Sequence, residues 1–333
     1  MPIMPGAGMH SADAPLGARF FRPELPSPPA KSLKLNYPYN LLDSRSCFDV
    51  VFAIQPSESG AFSHITAIKD VLMARSSYFR DLFSSDFCES RLEHSDPQGL
   101  LGKPSDPLHG DRHDFSAFEE MLVHGNDIKV SEATPPSTLA EPSVQPQIAS
   151  GLAQSTTATG SYVKVVIHDC SYSTYYGILF YLYTHRINFL PPTSDYLLAD
   201  QNEPRKPRDA SDATKARDAW LIKKALNQNP PPCNPHAVYR LADRYLLNDL
   251  KEIAQGYILR SLTVENVAYE AFCRLSLDYD SYRDKVLQFI LENWTAVKHT
   301  RAWMQSMKLL EDGQLQGGGA LLQKLFDALD IKP

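Results

Sequence analysis

Residues 71–90, VLMARSSYFRDLFSSDFCES, constrain the fold more than any other stretch of this chain. Val71 and Leu72 close one apolar segment. Ser76 follows where an N-cap hydroxyl would accept a backbone N–H of the next turn. Phe79, Leu82, Phe83 and Phe87 then recur at i, i+3, i+4 and i+8, a single apolar stripe, with Arg80, Asp81 and Asp86 between them. The pattern predicts two short helices sharing one buried face.

A chain of 333 residues has room for one large domain or two ordinary ones. Apolar residues make up 43% of it and proline contributes 25 residues, so a globular core is diluted by stretches that cannot pack. The net charge of -6 gives no basic face for nucleic acid. The short cluster of Arg205, Lys206 and Arg208 is interrupted by proline and acid and reads as a solvated linker. Cys47, Cys88, Cys170, Cys233 and Cys273 are odd in number, widely spaced and without a C-x-x-C, which points to free thiols in a reducing compartment. The opening MPIMPGAGMHSADAP lacks the basic and apolar regions of a secretory signal, and the longest apolar stretch, around 175–183, is too short to span a bilayer. A soluble protein of cytoplasm or nucleus is expected, with no membrane partner.

Residues 1–38 are rich in Pro, Gly, Ala and Ser and are expected to be a disordered tail. FDVVFAI, 48–54, predicts a strand with Val50, Phe52 and Ile54 on one side and Asp49, Val51 and Ala53 on the other. A turn at 56–60 and a second strand at 61–67 complete a hairpin, before helices at 68–73 and 76–87. Residues 91–160 break the pattern with SDPQG, KPSDP, EATPPS and AEPSVQPQ; most of this stretch is expected to be disordered, with a short helix possible only at 115–123. YVKVVI, 162–167, returns to strand. Ser173 is a candidate cap for a helix striped by Tyr176, Leu179, Phe180 and Tyr183, and 186–189 predicts a short strand. A second insertion, 191–235, carries one helical pattern in its middle. Helices follow at 238–245 and 250–258, with Asn248 a plausible cap between them. Thr263 and Ser281 are candidate caps for two later helices, and 301–330 adds two more amphipathic segments.

The segment 71–90 resembles the core of the BTB (POZ) domain, whose pattern is V-L-x-A-R-S-x-Y-F-x-x-L-F-x-x-x-F-x-E-S. YVKVVIHDCSYSTYYGILFYLYTHRINF and VYRLADRYLLNDLKEIA are similar to the family's later strand, helix and closing helices. The resemblance covers less than half the chain, but its pieces fall in the right order. It implies an α+β fold, helices around a small sheet, interrupted by two long insertions and followed by an α-helical extension. The domain is then expected over 39–260, with core pieces 47–90, 161–190 and 236–260, insertions 91–160 and 191–235, and the extension over 261–333. Two positions depart from the family: Ile68 stands where a His is usual, and His185 where a Gly is usual.

The resemblance also implies site residues. Phe87-Cys88-Glu89 matches the apolar-x-Glu signature of cullin-binding relatives, an apolar anchor beside one carboxylate, with Phe83 on the same stripe. Asp49 and Lys69 occupy the family's buried acid–base pair and are expected to form a structural ion pair. Tyr39, Leu41 and Leu42 form an apolar turn where the family's dimer helix lies, which implies a homodimer. The segment 261–294 resembles the helical extension of cullin-linked relatives. His109, Asp111 and His113 have helical metal-ligand spacing, but their segment is loop-like and lacks cysteine, so neither metal nor cofactor is expected. Phosphate-binding and nucleophile motifs are absent from the sequence, and no enzyme is expected. The leading expectation is an adaptor joining an unknown substrate protein to a cullin-3 ubiquitin ligase. The alternative is a dimerisation scaffold in transcriptional or structural assembly without a ligase link.

Overall fold

The computed structural model describes residues 42–44, 48–54, 62–84, 90–93, 115, 117, 118, 121, 162–168, 170–200, 210–224 and 230–330. The expected tail 1–38 and nearly all of 91–160 lie outside these residues, as do Tyr39, Leu41, Phe87 and Glu89.

Strands β1 (Val50–Ile54) and β2 (Ser63–Ala67) form the expected antiparallel hairpin, Val50 opposite Ala67 and Ile54 opposite Ser63. Across the long insertion, β4 (Tyr162–Ile167) pairs parallel with β1, Val50 opposite Val163. β3 (Ser90–Glu93) closes the other side of β4 antiparallel, giving the order β2-β1-β4-β3. β3 was not expected, because SRLE has no alternation of its own; its pairing comes from the free side of β4. The alternation in β1 does not translate into one wet and one dry face. Every residue from Val50 to Ile54 is buried, as befits a central strand with a parallel neighbour.

Helices α1 (Lys69–Arg75) and α2 (Ser77–Ser84) are the predicted pair. Ser76 between them is extended, and its Oγ accepts the Phe79 N–H at 3.4 Å. Val71, Leu72, Phe79 and Leu82 face the core, where Phe79 and Tyr175 hold Phe52 at ring separations of 6.0 and 5.0 Å. Helix α3 (Tyr172–Thr184) is capped two residues earlier than expected, by Ser171, whose Oγ accepts the Thr174 N–H at 3.2 Å. Ser173 is instead buried inside the first turn. α3 is buried almost all round, so the expected stripe is only part of its contact surface. It ends at His185, left-handed at φ 55°, which explains why glycine suits this position. The expected strand at 186–189 reduces to a single parallel bridge between Phe189 and Cys233.

The second insertion folds into α4 (Thr193–Asp200), which was not anticipated, and α5 (Ala210–Lys224), which was. α6 (Pro235–Arg244) starts at Asn234, whose side chain accepts the N–H groups of His236 and Ala237, with proline at the position that lacks nothing by losing its N–H. α7 (Asn248–Arg260) has Asn248 inside its first turn rather than as its cap. The remaining chain is helical: α8 (Val267–Phe272), α9 (Arg274–Asp278), α10 (Asp280–Glu292), α11 (Trp294–Val297), α12 (Arg301–Glu311) and α13 (Gly318–Asp330). Thr263 and Asn266 cap the approach to α8 reciprocally, each side chain accepting the other's N–H at 3.1 and 2.8 Å. Ser281 lies inside the first turn of α10, not at its cap. One continuous apolar core runs from β1 through α3, α6 and α8 to α13. No described helix is long and apolar enough to cross a membrane.

Candidate functional site

Two places concentrate polar chemistry on this frame. The first is the start of the helix pair. Ile68, at the N-cap of α1, brings no capping side chain. Asp49, at the foot of β1, takes over: its Oδ1 accepts the Lys69 N–H at 2.6 Å. The Asp49 N–H meanwhile donates to the Ala67 carbonyl, and its own carbonyl accepts the Val163 N–H. One residue thus fastens β1 to β2, β4 and α1, and places a carboxylate at a helix N-terminus. The expected ion pair between Asp49 and Lys69 is corrected accordingly. The two residues meet, but through carboxylate and main chain. The Lys69 ammonium lies 5.6 Å from the Phe83 ring centroid, a cation over an aromatic face.

Phe83 sits on the last turn of α2, half-buried and stacked on Phe79 at 6.0 Å. Part of its ring therefore remains in solvent. Phe87 and Glu89 are outside the described residues, so Phe83 is the one member of the expected partner-binding trio that has a place. Tyr183 and Tyr245 hold the pair from behind: the Ile68 N–H donates to the Tyr183 hydroxyl at 2.7 Å, and Tyr78 packs on Tyr245 at 4.5 Å. Leu42, expected at a dimer interface, is buried in the chain's own core. Its neighbour Asp43 is pinned to β2 by its N–H to the Thr66 carbonyl and by its Oδ1 accepting the Thr66 N–H. Leu42 is corrected to a core anchor, because a side chain already packed inward cannot present a face to a second copy.

The second place is the junction of core and extension, which the sequence reading did not single out. Glu270, in α8, is fully buried. Its Oε1 accepts the Ser194 hydroxyl of α4 at 2.6 Å; its Oε2 accepts the Tyr282 hydroxyl of α10 at 2.7 Å and pairs with His236 Nε2 of α6 at 2.9 Å. Core, second insertion and extension therefore meet on one carboxylate. Burial alone would push its pKa up. The His236 charge and the hydrogen bonds from His236, Ser194 and Tyr282 outweigh that and hold it below the ordinary value. Beside it, Asn266 Nδ2 donates to Asp195 Oδ1 at 3.0 Å. Burial pushes the Asp195 carboxyl up to about 6; the Asn266 hydrogen bond and Lys224 oppose this, and Glu270 adds to it.

His236, Glu270 and Cys273 bring one donor atom each within 4.8 Å of one another, so the residue types suit a metal. Glu270 already accepts three hydrogen bonds there, and the Cys273 thiol donates to the Glu270 carbonyl at 3.1 Å, so the carboxylate and the thiol are both engaged by contacts within the protein. A signal for this centre existed in the sequence: Glu270 is the lone charge in VAYEAFC, six of whose positions are otherwise apolar. A charge that is buried along with such a run has to be paired.

Residues 39–100 match the BTB/POZ domain family. No curated protein matches the chain. The matched stretch holds the hairpin, the helix pair and Phe83, and it identifies this part of the chain as a protein-interaction module.

Proposed function

We propose that the chain is an adaptor that pairs with a second copy through its BTB/POZ domain and holds a cullin-3-type ubiquitin-ligase scaffold, while other parts recruit a target protein. The domain in this reading runs over 39–260 and the extension over 261–333. The observation that carries it is the closure of the extension onto the core through Glu270 and its partners on α4, α6 and α10. In this reading the junction holds the extension against the domain that carries the docking helices. Phe83 at the end of α2 offers the apolar part of a contact that Phe87 and Glu89 would complete. Buried Cys170, Cys233 and Cys273 carry free thiols, which suits work in cytoplasm or nucleus. With Leu42 committed to the core, the pairing of two copies falls to Tyr39, Leu41 and the first helices.

Affinity capture from cell extract tests the ligase link. The wild type is expected to retain a cullin, and a Phe87→Ala, Glu89→Ala double variant to lose it at unchanged melting temperature. A folded double variant that captures cullin equally well overturns the ligase reading and leaves a BTB scaffold without it. Sedimentation at micromolar concentration tests pairing independently; a monomer contradicts it.

A further inference from the structure

The extension meets the rest of the chain at a second joint, one that water reaches. The Lys251 ammonium of α7 donates to Asp243 Oδ1 of α6 at 2.6 Å. It stands 5.1 Å from the Tyr239 ring centroid and 5.6 Å from that of Tyr279. Tyr239 lies on α6, and Tyr279 is the residue at the start of α10, in the extension. The two rings meet edge to face at 5.0 Å and 85°, a corner that holds the cation between them. Among the described residues, Lys69 and Lys224 each stand over one ring, and Lys251 stands over two. One charge thus ties α6 and α7 to the extension. Glu270 makes its own tie fully buried, out of reach of any enzyme. The Lys251 side chain is 26% exposed, and that of Asp243 40%. The geometry makes this joint depend on charge. An amide at Nζ cannot pair with a carboxylate, has no attraction for a ring face, and is bulkier than the ammonium the corner fits. Asp243 and Tyr279 border water, so both can be solvated once the cation is gone, and the domain is not left with a buried unpaired charge.

We infer that Lys251 is a modification site, and that its acylation by an acyl thioester unfastens the start of α10 from α6. In the transfer one ammonium proton goes to solvent and the amine nitrogen attacks the thioester carbonyl. The new C–N bond forms as the C–S bond breaks, and the thiol leaves with the second proton. No oxidant or reductant is needed. Glu270 still holds the extension as a whole, and Lys285 Nζ still donates to Gln255 Oε1 at 2.7 Å, so the release is local. The inference is independent of the cullin reading.

The test uses the full chain carrying Nε-acetyl-lysine at position 251, installed during translation, with a chain acetylated at position 324 as the control. Lys324 also pairs with a carboxylate, Asp284 at 2.6 Å, but both belong to the extension. Hydrogen exchange in peptides covering 274–284 should be roughly tenfold faster in the chain acetylated at 251 than in the unmodified one, with β1 and β4 unchanged. The chain acetylated at 324 should match the unmodified one. Lys251→Arg, which keeps the charge, should stay within about threefold of it. Mass spectrometry of the chain isolated from its own cells should find an acyl group on Lys251. Unchanged exchange at 274–284 in the acetylated chain overturns the inference. So does a Lys251→Arg variant that opens as far as the acetylated chain, which would assign the joint to shape rather than charge. Acylation found at other lysines and never at 251 overturns the assignment of the site.

Discussion

Asp49 and Glu270 are both carboxylates set among partners from several elements, yet they are put to different use. Asp49 is half-buried and takes a main-chain N–H, Lys69 N at 2.6 Å. The Lys69 ammonium itself turns elsewhere, over Phe83. Glu270 is fully buried and takes three side chains from three helices. The first arrangement positions a helix start and stays close to water, so its loss can be solvated. The second removes a carboxylate and its histidine partner from water altogether, and its loss strands His236. The number of carboxylate contacts is a poor guide to what a carboxylate contributes. The partner left behind decides the cost.

The largest expected effect follows from that. Glu270→Ala should lower unfolding free energy by roughly 3–5 kcal/mol, because it leaves the His236 ring buried without its acid. Urea unfolding measures this, and a loss below about 1 kcal/mol would place the two carboxylates in one class. The pH dependence has a definite sign. A pKa lowered on folding contributes stability that is full above the ordinary value of 4.5 and is lost as pH falls through the lowered one. Acid unfolding should therefore steepen below about pH 4.5 in the wild type and flatten in Glu270→Gln.

Asp195 sharpens the contrast in the opposite direction. Its pKa is raised from 3.8 to about 6, so the folded state prefers the protonated carboxyl and loses stability as pH rises through that interval. Asp195→Asn keeps an acceptor for Asn266 and removes the charge. It should stabilise the protein at pH 7 by roughly 1–3 kcal/mol and erase the slope between pH 4 and 6. A thermal melt series across that range decides it; destabilisation at pH 7 would count against the assignment. The smallest expected effect is Asp49→Ala, about 1 kcal/mol, the usual cost of a lost helix cap. A loss as large as that of Glu270→Ala would mean that Asp49 holds a buried cation after all.

What was legible in the sequence follows the range of the interactions involved. The hairpin, α1, α2, β4, α6 and α7 are written in local periodicity, and the cap at Ser76 was readable because its partner, Phe79, is three residues away. The cap of α3 was misplaced by two residues because Ser171 and Ser173 offer the same hydroxyl, both buried, and only the Thr174 N–H donating to Ser171 separates them. α4 escaped notice because it opens directly after two prolines, which read as a loop. β3 exists only through its partner strand. Glu270 was visible as the lone charge in VAYEAFC, but its partners were out of reach for a related reason: Ser194 and His236 lie 76 and 34 residues away from it, so no window of sequence contains the cluster. Leu42 reads as one of an apolar trio with Tyr39 and Leu41, open to a second copy; its burial, beside an Asp43 hydrogen-bonded to β2, depends on contacts distant in sequence.

The central claim is that core and extension unfold as one unit fastened at Glu270. Hydrogen exchange read by mass spectrometry across a urea series tests it most directly, comparing peptides that cover β1 and β4 with peptides that cover α8 and α10. The two sets should lose protection at one shared midpoint in the wild type. In Glu270→Ala the extension should open at lower urea while the strands remain protected. An extension that already opens separately in the wild type, well before the strands, would contradict the account.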